Sequence, residues 1–118
     1  MIQPNLKAMI AAAAFSHSTG RNLSSIYDYS VGEHRSVSVK VSGSNVDGYD
    51  YISSCHFGGN IPNLYHYGMT AHVQFKPVQY GKYTGYDYGS GNHFEVTVNG
   101  NNASFYDYGA SGWTNYSA

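Results

Sequence analysis

A tripeptide that combines aromatic rings with a carboxylate, Tyr-Asp-Tyr, occurs four times in this 118-residue chain. A fifth, altered copy reads Tyr-His-Tyr. The five copies begin at Tyr27, Tyr49, Tyr65, Tyr86 and Tyr106. Aromatic faces stack on apolar faces of ligands, and nearby carboxylates, amides and imidazoles hold hydroxyl groups. This combination suits a polyhydroxylated ligand such as a sugar.

The tripeptides therefore predict a non-catalytic binding module, whose ligand is a carbohydrate or another cell-surface component. The predicted contacts are tyrosines of the four Tyr-Asp-Tyr copies, several of the central polar residues, and the one tryptophan. These residues are Tyr27, Tyr29, Tyr49, Tyr51, Tyr86, Tyr88, Tyr106, Tyr108, Trp113, Asp50, Asp87, Asp107 and His66.

Two further interpretations of the repeat remain open. In the first, the tripeptide only marks strand ends: its tyrosines form cross-strand pairs, and its aspartate shapes the following turn. In the second, the chain is a self-assembling subunit that forms a homo-oligomer or filament. Tyrosine is enriched at protein interfaces, and charged residues are only 11% of this chain, so little charge repulsion opposes association.

An enzymatic alternative rests on Cys55, the single cysteine. A small hydrolase would use Cys55 as nucleophile, His56 or His66 as base and Asp50 to orient the base, since such groups meet in space rather than in sequence. No nucleophile elbow, phosphate loop or zincin helix accompanies them. Residues 55–62 interrupt the repeat, which marks them either as a specialised loop or as a corner between strands.

Composition limits the remaining classes of function. The formal net charge is −1, so no basic field is present to attract phosphates and no nucleic-acid partner is expected. The six histidines lack a recognised metal-ligand spacing, so we expect neither a metal nor a cofactor. One cysteine allows no intrachain disulfide, and nothing in the sequence assigns a compartment. The length fits a single domain over residues 1–118.

The N-terminal segment is predicted to be a helix over about residues 5–15. Leu6, Met9, Ile10 and Ala13 recur at helical spacing, and alanine is the best helix former. We expect Asn5 to cap this helix, one face of it to pack on a sheet, and its end to precede residue 16. Lys7 and the apolar residues 8–15 resemble a signal peptide only loosely, and no membrane-spanning run follows.

Residues 22–117 read as repeated β-hairpins. Each hairpin has an alternating apolar strand, a turn rich in Gly, Asn or Pro, and a return strand that ends in the tripeptide. Residues 94–98, the tight-turn pair Asn99-Gly100 and residues 103–108 make the clearest example. About nine or ten strands result, which predicts a mainly antiparallel β-sandwich or small barrel with a short N-terminal helix.

Two arrangements of the tyrosines, inward or outward, are consistent with the alternation along the strands. Ile26, Val46, Ile52 and Phe105 share the parity of the aspartates. If these apolar residues mark the core side, the tyrosines form an exposed ladder and each aspartate lies inward, where it needs hydrogen-bond donors or a cation. In the second arrangement the tyrosines fill the core and the aspartates are solvated.

Overall fold

The strands form a closed antiparallel barrel in which each strand pairs with its neighbours in the chain, and the first strand pairs with the last. The computed structural model describes residues 2–118. It contains the helix α1 (Pro4–Thr19) and the strands β1 (Leu23–Asp28), β2 (Glu33–Ser42), β3 (Asn45–Asp50), β4 (Cys55–Asn60), β5 (Asn63–His66), β6 (Ala71–Gln79), β7 (Lys82–Asp87), β8 (Asn92–Asn99), β9 (Asn102–Asp107) and β10 (Gly112–Ser117). The prediction of an antiparallel β fold built from hairpins with a short N-terminal helix is confirmed, and its architecture is the barrel.

Helix α1 lies inside the barrel. Residues 8–16 are all buried, and α1 contacts β1, β2, β3, β8 and β9. The expectation that one face of the helix packs on a sheet was therefore wrong. The reason is that residues 8–15 carry no polar side chain on any face, so a helix there is buried all round. The alanines are small enough for the sheet to close around the helix.

The ends of α1 also differ from the prediction. Gln3 is the N-cap residue, Pro4 occupies the first turn, and no side chain caps the helix. The predicted cap, Asn5, instead accepts a hydrogen bond from Arg35 Nη1 at 2.8 Å. The helix runs on to Thr19, four residues beyond the expected end. Gly20 ends it in the left-handed conformation, with φ 73° and its N–H bonded to the Ser16 carbonyl at 2.9 Å.

The inward faces of the strands surround α1 with apolar side chains, as the alternation of the sequence predicted. Val37 and Val39 of β2 are buried, as are Phe94 and Val96 of β8. Phe75 of β6 stacks on Tyr83 of β7 with ring centroids 4.8 Å apart. The core is thus a single layer of side chains between the sheet and the helix.

The five tripeptides lie at one end of the barrel, which we call the tripeptide end. Strands β1, β3, β5, β7 and β9 run in the same direction, and each ends at the central residue of its copy. A four-residue turn follows each, and its last residue has a positive φ of 51–72° in all five: Gly32, Ser54, Thr70, Gly91 and Ser111. The repeat therefore encodes one turn conformation five times.

Residues 55–62 are more regular than the sequence suggested. Cys55–Asn60 forms β4, which pairs with β3 on one side and β5 on the other. The prediction of a specialised loop or a corner here was wrong. The two glycines of this segment, Gly58 and Gly59, hid the alternation because they leave only Phe57 as an inward marker.

Candidate functional site

The tyrosines of all five tripeptides lie on the outer face of the barrel. The first tyrosine of each copy is half-buried, whereas the second is 53–63% exposed. Of the two arrangements considered above, the structure therefore has the one in which the tyrosines form an exposed ladder. Ile52, which shares the aspartate parity in sequence, lies in a turn and is exposed, so it carried no information about the core.

Each outward tyrosine pair forms an aromatic cluster with a third ring from the next strand. The first tyrosine contacts the second tyrosine and the third ring, with centroid separations of 4.6–5.0 Å and edge-on or tilted geometry. The clusters are Tyr27, Tyr29 and His34; Tyr49, Tyr51 and His56; Tyr65, Tyr67 and His72; Tyr86, Tyr88 and His93; and Tyr106, Tyr108 and Trp113.

The sequence prediction included Trp113 but missed the four cluster histidines. Their signal is a constant interval: the third ring follows the first tyrosine by seven residues in every copy. This interval consists of the last two residues of one strand, a four-residue turn and the first residue of the next strand. The strand register then places the third ring directly opposite the first tyrosine.

The five clusters lie around the tripeptide end, and together we call them the aromatic belt. The backbone N–H of Tyr67 donates a hydrogen bond to the carbonyl of His56 at 3.0 Å, and the N–H of Tyr88 donates one to the carbonyl of His72 at 3.0 Å. Tyr108 repeats this contact with His93 at 3.1 Å. At these three junctions the second tyrosine of one cluster lies beside the residue that carries the third ring of the preceding cluster. At the other two junctions, Tyr51 bonds the carbonyl of Ser36 and Tyr29 that of Asn115, each two residues beyond the third ring.

Two grooves open on the outer surface beside these junctions. The larger groove, of about 490 Å³, is lined by Gln74, Lys76, Thr84, Gly85, His93, Phe94 and Tyr108. The smaller, of about 180 Å³, is lined by Val46, Asp47, His56, Phe57, Gly58, Gly59 and Tyr67. Only the larger reaches the 300–1,000 Å³ that is usual for small-molecule sites.

The larger groove has a short side chain at its centre and longer polar side chains around it. Thr84 of β7 lies opposite Lys76 of β6 on one side and Glu95 of β8 on the other. The Tyr108 hydroxyl donates to Glu95 Oε2 at 3.1 Å. This bond, and the negative charge of Glu95, raise the pKa of Tyr108. An aromatic wall, a cation and an anion therefore surround one small residue.

The central residues of the tripeptides lie on the inner face, across the sheet from the tyrosines. Asp28, Asp50, Asp87 and Asp107 are at most 2% exposed, and His66 is fully buried. Three of the predicted contacts, Asp50, Asp87 and Asp107, and also His66, therefore do not share a surface with the tyrosines. Each hydrogen-bonds the turn that follows it, two or three residues on.

These inner groups are also paired with the rest of the chain. Arg35 Nε donates to Asp28 Oδ2 at 2.6 Å, and the backbone N–H of Ile2 donates to Asp107 Oδ2 at 2.9 Å. Burial by itself raises the pKa of Asp28, but hydrogen bonds from Ser30 and Arg35 outweigh it and hold the pKa below its usual value. Asp107, through Ile2, and Asp87, which lines a cavity with Gln3 and Leu6, lie near the N-terminus of α1, which favours negative charge.

Cys55, His66 and Asp50 do come together, as the hydrolase alternative requires. His66 Nε2 bonds Asp50 Oδ2 at 3.1 Å, while His66 Nδ1 accepts the backbone N–H of Met69 at 3.1 Å. Cys55 Sγ lies 3.9 Å from both ring nitrogens. It therefore sits beside the imidazole without a short bond to either nitrogen. Both nitrogens are engaged elsewhere, so neither is free to accept the thiol proton. The other base considered, His56, lies on the outer face.

Within residues 2–118, no group of three or more His, Cys, Asp or Glu side chains is arranged to hold a metal ion. Among the same residues, no helix has the length and apolar character needed to cross a membrane. Comparison of the chain with protein-family models, with curated proteins and with solved structures gives no match.

Proposed function

We propose that this protein is a non-catalytic carbohydrate-binding module that uses the aromatic belt. The observation that carries the proposal is the fivefold presentation of exposed aromatic rings, each beside an imidazole or indole, on the outer face of one barrel. The apolar face of a sugar ring stacks on an aromatic side chain, and its hydroxyls exchange hydrogen bonds with tyrosine, histidine and amide groups.

The rigidity of the belt supports this proposal. The first tyrosine of each cluster is fixed by two ring contacts, and its strand is part of a closed barrel. A surface held in place before the ligand arrives loses little conformational entropy on binding. Repetition adds a second advantage, because a polysaccharide that contacts neighbouring clusters binds more tightly than one contacting a single cluster.

A glycan array probed with the full chain tests the proposal. We expect binding to neutral glycans that falls about tenfold or more when Tyr88 and Tyr108 are both changed to Ser, since each stacked ring contributes about 0.5–1.5 kcal/mol. The matched control is Tyr80→Ser. Tyr80 is 91% exposed but lies in the turn at the other end of the barrel. Absence of glycan binding by the wild type, or equal loss in the control, would contradict the proposal.

Self-association is the second candidate, and the number of exposed rings in the belt favours it. Six belt rings are more than half exposed: Tyr29, Tyr51, Tyr67, Tyr88, Tyr108 and Trp113. Contiguous exposed aromatic surface is characteristic of protein interfaces, and a net charge of −1 opposes association little. Light scattering over a concentration series separates the two candidates. A mass that grows with concentration, and returns to that of a monomer in the Tyr88→Ser/Tyr108→Ser variant, would support self-association.

A further inference from the structure

We propose that the larger groove is the principal saccharide subsite of the belt, and that it takes a neutral pyranose with free hydroxyls at opposite edges of the ring. This inference rests on the proposed function and goes beyond it by assigning one place and one ligand class. It is argued from the volume of the groove, the order of its side chains and its balance of charge.

Volume separates this groove from its counterpart. At about 490 Å³ it has room for more than one sugar ring, whereas the groove beside His56 and Tyr67 encloses about 180 Å³. The residues at the bottom of the larger groove explain part of this difference in volume. Thr84 is short, and Lys76 and Tyr108, which line the groove with it, are long. Glu95 lies beside the groove, opposite Thr84 and bonded to Tyr108. The sheet thus has a depression with polar walls at this point.

The order of the side chains determines what fits there. Lys76, Thr84 and Glu95 form a row across β6, β7 and β8, with neighbouring strands about 4.8 Å apart. No hydrogen bond or ion pair among residues 2–118 engages the Lys76 ammonium. A donor on one side and a carboxylate acceptor on the other match hydroxyls at opposite edges of one pyranose ring, which accept from Lys76 and donate to Glu95.

The aromatic wall and the charge balance narrow the ligand class. Tyr108 is 53% exposed, and its hydroxyl bond to Glu95 fixes the ring at the edge of the groove. The sugar ring packs on this wall while its hydroxyls face Lys76 and Glu95. Lys76 in the lining and Glu95 beside it carry opposite charges, so the groove does not favour an acidic or a basic sugar.

The test uses the isotope-labelled full chain, titrated with a trisaccharide of neutral hexoses in gluco, galacto and manno forms and with the corresponding trisaccharide of uronic acids. We expect one of the neutral forms to shift the amide signals of Thr84, His93 and Tyr108. Affinity should fall at least about tenfold in Lys76→Ala, which loses a charged hydrogen bond, and in Thr84→Tyr, which fills the groove. Thermal melts verify that both variants fold.

Lys40→Ala is the matched control, since Lys40 is an exposed, outward lysine opposite Asp47 on the other side of the barrel. It should change affinity less than about twofold, because it is remote from the groove. If the wild type binds a neutral trisaccharide but both groove variants bind it equally well, the groove assignment is overturned and the proposed function stands. Preference for the uronic acids would overturn the ligand class. No binding to any saccharide would overturn both.

Discussion

The inner and outer faces of the repeated tripeptide differ in how their polar atoms are satisfied. On the inner face, the carboxylates and His66 accept hydrogen bonds from turn residues, and four of the five groups, all except Asp87, have a further partner elsewhere in the chain. On the outer face, only two of the ten belt tyrosine hydroxyls, those of Tyr29 and Tyr108, have a partner within residues 2–118. The inner half therefore stabilises the barrel, while the outer half keeps hydrogen-bonding capacity for a ligand.

The third copy supports this division, because His66 replaces aspartate there without loss of the inner role. His66 Nδ1 accepts the N–H of Met69, three residues on. Asp50 Oδ1 accepts from Ser53 at the same spacing. The other nitrogen of His66 bonds Asp50, so this copy also links two neighbouring turns. What the inner position requires is a buried acceptor that the turn can use.

The largest expected effect on stability separates two adjacent residues, Asp50 and Tyr51, that lie on opposite faces of the sheet. Asp50→Ala removes the acceptor of Ile52 N, Ser53 Oγ and His66 Nε2. We expect it to lower the free energy of unfolding by about 3 kcal/mol, because buried groups left without a partner cost about 1–3 kcal/mol each. Tyr51→Ser, one residue away and outward, should cost about 1 kcal/mol or less. Urea denaturation measures both, and similar losses would contradict the division between the faces.

A second effect concerns volume rather than hydrogen bonding. Ala12 of α1 is fully buried inside the barrel. We expect Ala12→Leu to cost about 1–3 kcal/mol, since the closed sheet leaves no space for three further carbons. Ser38→Leu, on the outer face of β2, should stay within about 0.5 kcal/mol of the wild type. If the melting temperatures of the two variants coincide, α1 does not fill the barrel in solution.

The inner and outer faces were not equally predictable from sequence. Alternation along the strands predicted the hairpins but left open which face of the tripeptides is buried. The buried residues Ile26 and Phe105 share the parity of the aspartates, as in the arrangement that the structure has. The enclosed helix was missed, because an alanine-rich segment satisfies helical periodicity whether one face or every face is buried. Only closure of the sheet, a long-range property, decides between these two cases.

The aromatic clusters were missed for a related reason. The pairing of Tyr86 with His93 depends on a turn of known length and on the register that follows from it. The groove depends on three strands at once, since Lys76, Thr84 and Glu95 are far apart in sequence and meet only through two registers. Such features follow from pairing, which a single sequence specifies only locally.

A third, smaller effect is the dependence of stability on pH that Asp28, on the inner face, is expected to cause. The folded-state pKa of Asp28 is below the unfolded value of about 3.9. The ionised form therefore stabilises the folded state above about pH 4, and this contribution is lost as the pH falls through the folded pKa. We expect Asp28→Asn to be less stable than the wild type at pH 7 and the difference to shrink by pH 3. Urea midpoints at both pH values measure this, and a constant difference would contradict it.

The smallest effect is on the outer face, where one hydroxyl contact should change a titration without changing stability. The bond to Glu95 raises the pKa of Tyr108, so Glu95→Gln should lower that pKa towards its usual value near 10. NMR titration of the Tyr108 ring carbons in the wild type and in Glu95→Gln measures the shift. The free energy of unfolding at pH 7 should be unchanged, since the tyrosine is neutral there in both proteins. If Tyr108 titrates alike in the wild type and in Glu95→Gln, Glu95 does not hold Tyr108 in solution, and the edge of the larger groove is mobile before a ligand binds.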